Sequence, residues 1–310
     1  MPDLAEAERI LQGRLGSGVR VDFPIAPMTT FRIGGPAALF VEAQNDGALA
    51  AVREAVDATG APVAVIGKGS NMLVSDEGFS GIVVRLGRGF RWAGRDGDRL
   101  SAGGAMPLPA MAGVAMRHRL SGLEFGVAIP ASLGGAVKMN AGAHGRSMSD
   151  VLDRVEVFPL ADSGHRRSLA PSEAGFAYRR SQLPEASIVV GATVRLEPAA
   201  DEAIRAHMEE ARRWRRRTQP LAEPNCGSVF KNPDGDHAAR LIESAGAKGL
   251  RVGGARVSEK HANFIVADPG ASARDVWGLI RQVRSRVEHH AGIRLETEVE
   301  LMGVVDDADD

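Results

Sequence analysis

The chain has 310 residues, 44% of them hydrophobic and 25% charged, which is the balance of a folded chain and not of a disordered one. Its 38 Lys and Arg nearly cancel its 39 Asp and Glu, and a net charge of −1 excludes the global basic field that draws proteins to nucleic acid or to anionic membranes. The single cysteine, Cys226, excludes an internal disulfide and a cysteine-built metal cluster, and it fits a reducing compartment.

In chain order, the first stretch, MPDLAEAERILQGRLG, mixes acids with apolar residues and has no apolar block behind a basic start. It predicts a short amphipathic helix, not a signal peptide. No apolar run is long enough to span a bilayer. Residues 37–43 read as a strand, 46–58 as a helix capped by Asp46, 62–67 and 81–86 as further strands, which is an α/β alternation. A second lobe begins near residue 88, with a strand and glycine loop at 99–106, a helix at 107–120, a glycine-rich stretch at 123–145, and strands at 151–160 and 187–198. The composition shifts near Ala199, and the third region opens with a helix at 202–217 that Pro220 and Pro224 end. Helices at 237–246 and 273–292 and strands at 261–268 and 294–303 complete it, ahead of an acidic tail. The expected division is an N-terminal helix over 1–19, lobes over 20–87 and 88–198, a further domain over 199–303 and the tail over 304–310.

Glycine is abundant, at 37 residues, and it clusters. Glycine is selected where a chain turns with positive φ or approaches a ligand closely. The sequence GKGSN (67–71) follows an apolar strand and offers several backbone N–H groups. It lacks both the P-loop spacing and the third glycine of a dinucleotide fingerprint, so alone it stays open between a phosphate cradle and a plain hairpin. IPASLGGAVKMNAGAHG (129–145) is similarly open between a structural loop and a ligand-lining one. Together the two suggest a ligand held between lobes.

Tyr178-Arg179 reads as surface charge or as capture of a carboxylate or phosphate. CGSVFKNP (226–233) exposes a serine, but there is no nucleophile elbow, so a serine hydrolase is unsupported. The eight histidines have no metal-binding spacing, and no metal is expected. In LETEVE (295–300), a strand would set Glu296, Glu298 and Glu300 on one face. The arginines at 212, 213 and 215–217 read as a solvated helix face with one or two of them turned to a ligand.

As an ordered set, TTFRIGGPA (29–37), IGKGSNMLVSDEGFSGIVVRL (66–86), SAGGAMPLPAM (101–111), GLEFGVAIPASLGGAVKMNAGAHG (122–145), FAYRRSQL (176–183), CGSVFKNP, LIESAGAKGLRVGGARVSEKHANFIV (241–266) and RLETEVELMG (294–303) resemble the successive signatures of the UDP-N-acetylenolpyruvoylglucosamine reductase family. The resemblance implies an α+β fold: a two-lobed, vanillyl-alcohol-oxidase-like FAD-binding domain plus a C-terminal α/β substrate-binding domain. It implies reduction of UDP-N-acetylglucosamine enolpyruvate to UDP-N-acetylmuramate in peptidoglycan precursor synthesis, with FAD as cofactor and NADPH as co-substrate, in the cytoplasm. Matching the motifs residue by residue gives Arg179, Ser228 and Glu298 as catalytic. It gives Gly67, Lys68, Gly69, Ser70, Asn71, Ile129, Pro130, Ser132, Gly134, Gly135, Asn140 and Gly142 as FAD contacts. Tyr178, Arg215, Lys231 and Asn232 become substrate contacts. The partner is then a small molecule, with no nucleic acid and no membrane, and the oligomeric state is left open. One feature departs from part of the family. The chain between Ser181 and Ile188 is short and Tyr178 is the only tyrosine, so it resembles the branch without a tyrosine-bearing lid insertion. The alternatives are another FAD oxidoreductase of the same superfamily and a non-catalytic nucleotide-sugar-binding protein.

Overall fold

The computed structural model describes residues 2–161, 165–184 and 186–304. The acidic tail expected over 304–310 lies almost wholly outside them. Seven α-helices are described: α1 (Leu4–Leu15), α2 (Asp46–Thr59), α3 (Leu108–Arg117), α4 (Leu133–Lys138), α5 (Asp201–Thr218), α6 (Ala238–Ser244) and α7 (Ala273–Ala291). Among the described residues, no helix is long and apolar enough to cross a membrane.

The chain forms two compact units. The first gathers residues 1–21, 38–68 and 81–215, and the second gathers 22–37, 69–80 and 216–310. The boundary therefore falls after Arg215, not near Ala199, and two short segments from the front of the chain belong with its end.

The first unit holds most of one four-stranded sheet and the whole of a five-stranded one. One runs Val19–Pro24, Pro36–Ala43, Phe79–Leu86, Val63–Val65 in spatial order, with the last two strands parallel. The other is an antiparallel sheet of five strands, Arg167–Leu169, Leu152–Pro159, Ser187–Arg195, Arg99–Gly103 and Ala93–Asp96. Val41, Leu49, Val52, Ile82 and Val84 pack beside the first sheet, where α2 presents its apolar stripe. Leu100, Leu108, Met111, Val137, Val155 and Val194 fill a separate core against the second. The α2 cap is Asn45, whose Oδ1 accepts the Ala48 N–H at 3.0 Å, and not Asp46, which sits inside the first turn where its charge suits the helix dipole. Gly60 ends α2 with φ +64°.

The second unit packs α6 and α7 over a three-stranded antiparallel sheet, Arg251–Val252, Ala255–Val257 and Ile265–Ala267. Ser272 caps α7 in a reciprocal box with Asp275. Asp76, from the 69–80 segment, adds a second cap by accepting the N–H groups of Ala273 (2.8 Å) and Arg274 (3.1 Å). Two expected strands are much shorter than predicted. Residues 261–264 form a turn, so only Ile265–Ala267 is a strand, and of 294–303 only Glu300–Met302 is one, paired in parallel with Met72–Val74. In both places apolar alternation is satisfied by packing while the backbone bonds go to side chains or isolated bridges.

Candidate active site

In the first unit, glycine lets segments of the chain pack closely. A Cβ on Gly67 would lie 2.5 Å from the Ser132 Oγ. A Cβ on Gly104 would lie 2.1 Å from the Val189 carbonyl oxygen, and one on Gly134 would lie 2.8 Å from the same atom. The Gly134 N–H donates to the Gly104 carbonyl at 2.9 Å, and Ser132 caps the short helix α4 through Gly135 at 3.3 Å. Ile129 and Pro130 lead into this turn, Ile129 half-buried and Pro130 exposed.

Next to Gly67, the Lys68 ammonium is held below its usual pKa, first by partial burial and then by repulsion from Arg85 and Arg91. Cations gathered against their mutual repulsion suit a bound anion. Close-packed glycine backbone and this cationic group both fit a dinucleotide such as FAD.

The expected Tyr-Arg turn is also in the first unit. Ala177 and Arg180 exchange backbone hydrogen bonds at 3.1 and 3.2 Å, which leaves Tyr178 and Arg179 at the tip. Arg179 has φ +55°, a left-handed conformation uncommon outside glycine. Asn140, with φ +43° and buried, spends its amide on this turn: Nδ2 donates to the Ala177 carbonyl and Oδ1 accepts the Ser149 N–H, both at 2.9 Å. One Arg179 NH2 group donates to the Gly142 carbonyl at 3.0 Å, and the guanidinium lies 4.9 Å from the Tyr178 ring centre. Arg215, on α5, is shielded enough that burial lowers its pKa from the usual guanidinium range.

The second unit holds Ser228, Lys231, Asn232 and Glu298, with Gly69, Ser70 and Asn71. Gly69 has φ +58°, and its absent Cβ would lie 2.3 Å from the Met28 carbonyl oxygen. The Asn71 Nδ2 donates to the Glu298 carbonyl at 2.9 Å, and the Asn71 carbonyl accepts the Glu300 N–H at 3.0 Å. The Glu298 N–H donates to the Val229 carbonyl at 2.7 Å, and Phe230 bridges Thr297. Ser228 and Glu298 are thus neighbours through main chain. Lys231 approaches Glu296 at 3.2 Å, and the Asn232 Oδ1 accepts the Ala238 N–H at the start of α6. Glu296 and Glu300 are exposed and Glu298 is half-buried, so the three do not share the single strand face expected of them. The buried Cys226 thiol is pushed well above its ordinary pKa by desolvation and then by the nearby Glu298 charge, so it is no thiolate nucleophile.

A family model described as the UDP-N-acetylenolpyruvoylglucosamine reductase C-terminal domain matches residues 219–302, and a FAD binding domain model matches 37–166. The chain is 47% identical over 281 residues to UDP-N-acetylenolpyruvoylglucosamine reductase 2 of Symbiobacterium thermophilum, covering 90% of this chain and 91% of that protein. It is 41% identical over 304 residues to the corresponding reductase of Halalkalibacterium halodurans, covering 98% of this chain and 99% of that one. This chain belongs to the UDP-N-acetylenolpyruvoylglucosamine reductase family. A family member from Thermus caldophilus has a crystal structure that aligns with a TM-score of 0.79 at 40% identity, over 92% of this chain and all of that one. The α+β class and the separate C-terminal unit anticipated from the motifs are those of the family.

Several hydrogen bonds hold the chain after the Tyr178–Arg179 turn. The Gln182 N–H donates to the Ala174 carbonyl at 2.7 Å, Lys138 reaches the Leu183 carbonyl at 3.3 Å, and the Ser187 hydroxyl bonds the Pro184 carbonyl at 2.6 Å. Sequence reasoning missed Gly104, Asn225 and Asn263. Asn225 shapes the approach to Ser228 by accepting the Gly227 N–H at 2.9 Å. The only signal for these three was their place inside the family motifs or beside them.

Proposed function

We propose that this chain reduces the enolpyruvyl double bond of UDP-N-acetylglucosamine enolpyruvate, giving UDP-N-acetylmuramate, with NADPH as the source of electrons and FAD as the carrier. The observation that carries this reading is the backbone link between the Ser228 loop and Glu298, made by the Glu298 N–H to the Val229 carbonyl at 2.7 Å. It gives a proton donor and a carboxylate a fixed relation, as a reduction completed by protonation requires. The expected division into an N-terminal helix, two FAD lobes and a substrate domain stays part of this proposal, with the third region's start moved to the unit boundary after Arg215. A cytoplasmic location and a place in peptidoglycan synthesis, and hence in cell shape and division, follow from the reading.

FAD would be held by Gly67, Lys68, Gly69 and Ser70 and by the 129–142 stretch. When bound, it would accept hydride from NADPH and pass it to the terminal CH2 of the substrate. The remaining steps belong to side chains. Hydride on CH2 sends the alkene electrons toward the carboxylate, and the Arg179 guanidinium stabilises that charge as it develops. The left-handed turn and the Gly142 bond fix this guanidinium before substrate arrives, so little reorganisation accompanies the reaction. Ser228 gives its hydroxyl proton to the carbon bearing the ether oxygen and is reprotonated from solvent. Glu298 orients the substrate carboxyl group. Tyr178, Arg215, Lys231 and Asn232 would hold the rest of the substrate, with Arg215 on the pyrophosphate. Asn71 and Asn140, both expected at the cofactor, have their amides bonded to main chain, and a bracing role fits them better than a contact.

The test is the visible spectrum under anaerobic conditions. Bleaching of a yellow protein by NADPH, then recolouring on addition of UDP-N-acetylglucosamine enolpyruvate, supports both halves of the reaction. Bleaching without recolouring keeps the flavin and rejects the substrate, which favours another FAD oxidoreductase. A protein that takes up no FAD rejects the reading in favour of a nucleotide-sugar binder.

A further inference from the structure

Asn263 lies in the turn at 261–264 and is 4% exposed. Its Oδ1 accepts the Phe230 N–H at 2.9 Å, and its Nδ2 donates to the Phe230 carbonyl at 2.8 Å. Its own carbonyl accepts the Val229 N–H at 2.9 Å. One residue therefore satisfies three main-chain groups in the two residues that follow Ser228. The Val229 carbonyl then takes the Glu298 N–H, and the Lys231 N–H donates to the Glu296 carbonyl at 2.9 Å. The loop after Ser228 is thus held on one side by Asn263 and on the other by the main chain of Glu296 and Glu298.

The side chain suits the task for a specific reason. A primary amide carries donor and acceptor in one plane, so it can bind both polar groups of a single residue as a neighbouring strand would. A carboxylate accepts but does not donate, and an alanine does neither. The turn that carries Asn263 is itself fixed: its N–H donates to the His261 Nδ1 at 3.3 Å, and the buried Ser258 accepts the Lys260 N–H at 3.2 Å.

We infer that Asn263 is a positioning residue for the reduction, keeping the Ser228 hydroxyl in register with Glu298 through its two hydrogen bonds to Phe230. This rests on the reductase reading. Asn263 touches neither substrate nor flavin; it acts through Ser228.

The test uses the full chain loaded with FAD and compares Asn263→Ala and the near-isosteric Asn263→Asp with Ser228→Ala and with Ser228→Ala/Asn263→Ala. Stopped-flow absorbance follows flavin bleaching by NADPH and recolouring by UDP-N-acetylglucosamine enolpyruvate. The expected result is bleaching at the wild-type rate and recolouring slowed by about 100-fold, the scale of a displacement near 1 Å at a reacting group. The effect falls on kcat, with KM nearly unchanged. The double variant is as slow as Ser228→Ala alone, because both changes remove one function. Rates in the double variant that fall by the product of the two single effects overturn the inference, as does equal loss of both half-reactions. If Asn263→Ala does not fold, Asn263→Asp decides the matter in its place, since wild-type recolouring in it overturns the inference too. Wild-type protein that never recolours rejects the reductase reading itself, and the inference with it.

Discussion

The glycine loops of the first unit and the Ser228–Glu298 frame of the second face one problem and solve it differently. Irregular backbone at a site must stay rigid with its polar groups bonded. In the first unit, side chains are mostly removed so that segments meet, Gly67 against the Ser132 hydroxyl and Gly104 and Gly134 against the Val189 carbonyl, while Asn140 braces the Tyr178–Arg179 turn with its amide. In the second, Gly69 closes on Met28 in the same way, but around Ser228 and Glu298 side-chain amides reach out to bond the main chain: Asn71 to Glu298, Asn225 to Gly227, Asn263 to Phe230. The first solution lets segments of chain approach closely. The second leaves a particular hydroxyl and a particular carboxylate in place.

On this contrast, changes in the Ser228–Glu298 frame damage chemistry and spare the cofactor. The largest effect is expected of Ser228→Ala. Loss of a positioned proton donor lowers turnover by about 10²–10⁴-fold, while NADPH still bleaches the flavin at the wild-type rate. Stopped-flow absorbance separates the two steps, and parallel loss of both would break the comparison. Glu298→Gln belongs with it, and wild-type turnover in that variant would remove Glu298 from the mechanism.

Arg179 sharpens the contrast, because it is the charged catalytic candidate on the glycine side. Arg179→Lys is expected to cost about 10²–10³-fold in turnover, as for a lost electrostatic stabiliser. Arg179→Gly should be as inactive yet keep its melting temperature. Glycine adopts φ near +55° without the roughly 1–2 kcal/mol that a side chain costs there, which offsets the lost bond to Gly142. A large fall in melting temperature would show that the turn needs the arginine for folding and stores no strain.

How much of this was legible follows from the same difference. A glycine cluster is visible in composition, so the 67–71 and 129–145 loops could be located from the residues alone. Helices with regular apolar spacing, such as α2 and α7, were equally plain, and only the α2 cap moved by one residue. The asparagine frame left no pattern. HANFIVAD alternates as a strand does, and that alternation concealed the turn in which Asn263 sits. RLETEVELMG misled in the same way, because buried Leu295 and Val299 keep the period while only Glu300–Met302 pairs as a strand. Capture of segments 22–37 and 69–80 by the second unit was also hidden, since it depends on long-range bonds such as Asp76 to the start of α7.

The glycine side has its own pair of tests, with smaller effects. Gly104→Ala pushes a methyl into the Val189 carbonyl, which is backbone and cannot swing away, and overpacking of this kind costs about 1–3 kcal/mol of stability. Gly67→Ala meets only the Ser132 hydroxyl. It should leave the melting temperature of the apoprotein close to wild type and weaken FAD binding by about tenfold, measured by titration of flavin fluorescence. Adding Ser132→Ala relieves the contact. If FAD binding then returns, the glycine serves Ser132; if it stays weak, the bare backbone serves the cofactor directly.

The smallest effect concerns pH and lies in the second unit. His261 is held below its ordinary pKa of 6.5, mainly by burial, with repulsion from Lys248 adding to it and a backbone hydrogen bond opposing it. It stacks edge-on to Phe264 at 4.7 Å and accepts the Asn263 N–H on Nδ1, which requires the neutral ring. Because the folded form binds a proton less readily than the unfolded chain, no penalty exists above about 6.5, and stability is lost as the pH falls below that value toward the lowered folded pKa. The melting temperature should therefore fall more steeply across that window in the wild type than in His261→Phe, which has no proton to bind. The activity profile carries the sharper consequence. Protonation pulls at the turn that holds Asn263, so recolouring by substrate should slow in acid before bleaching by NADPH does, and a matched slowing of both would separate His261 from the frame around Ser228.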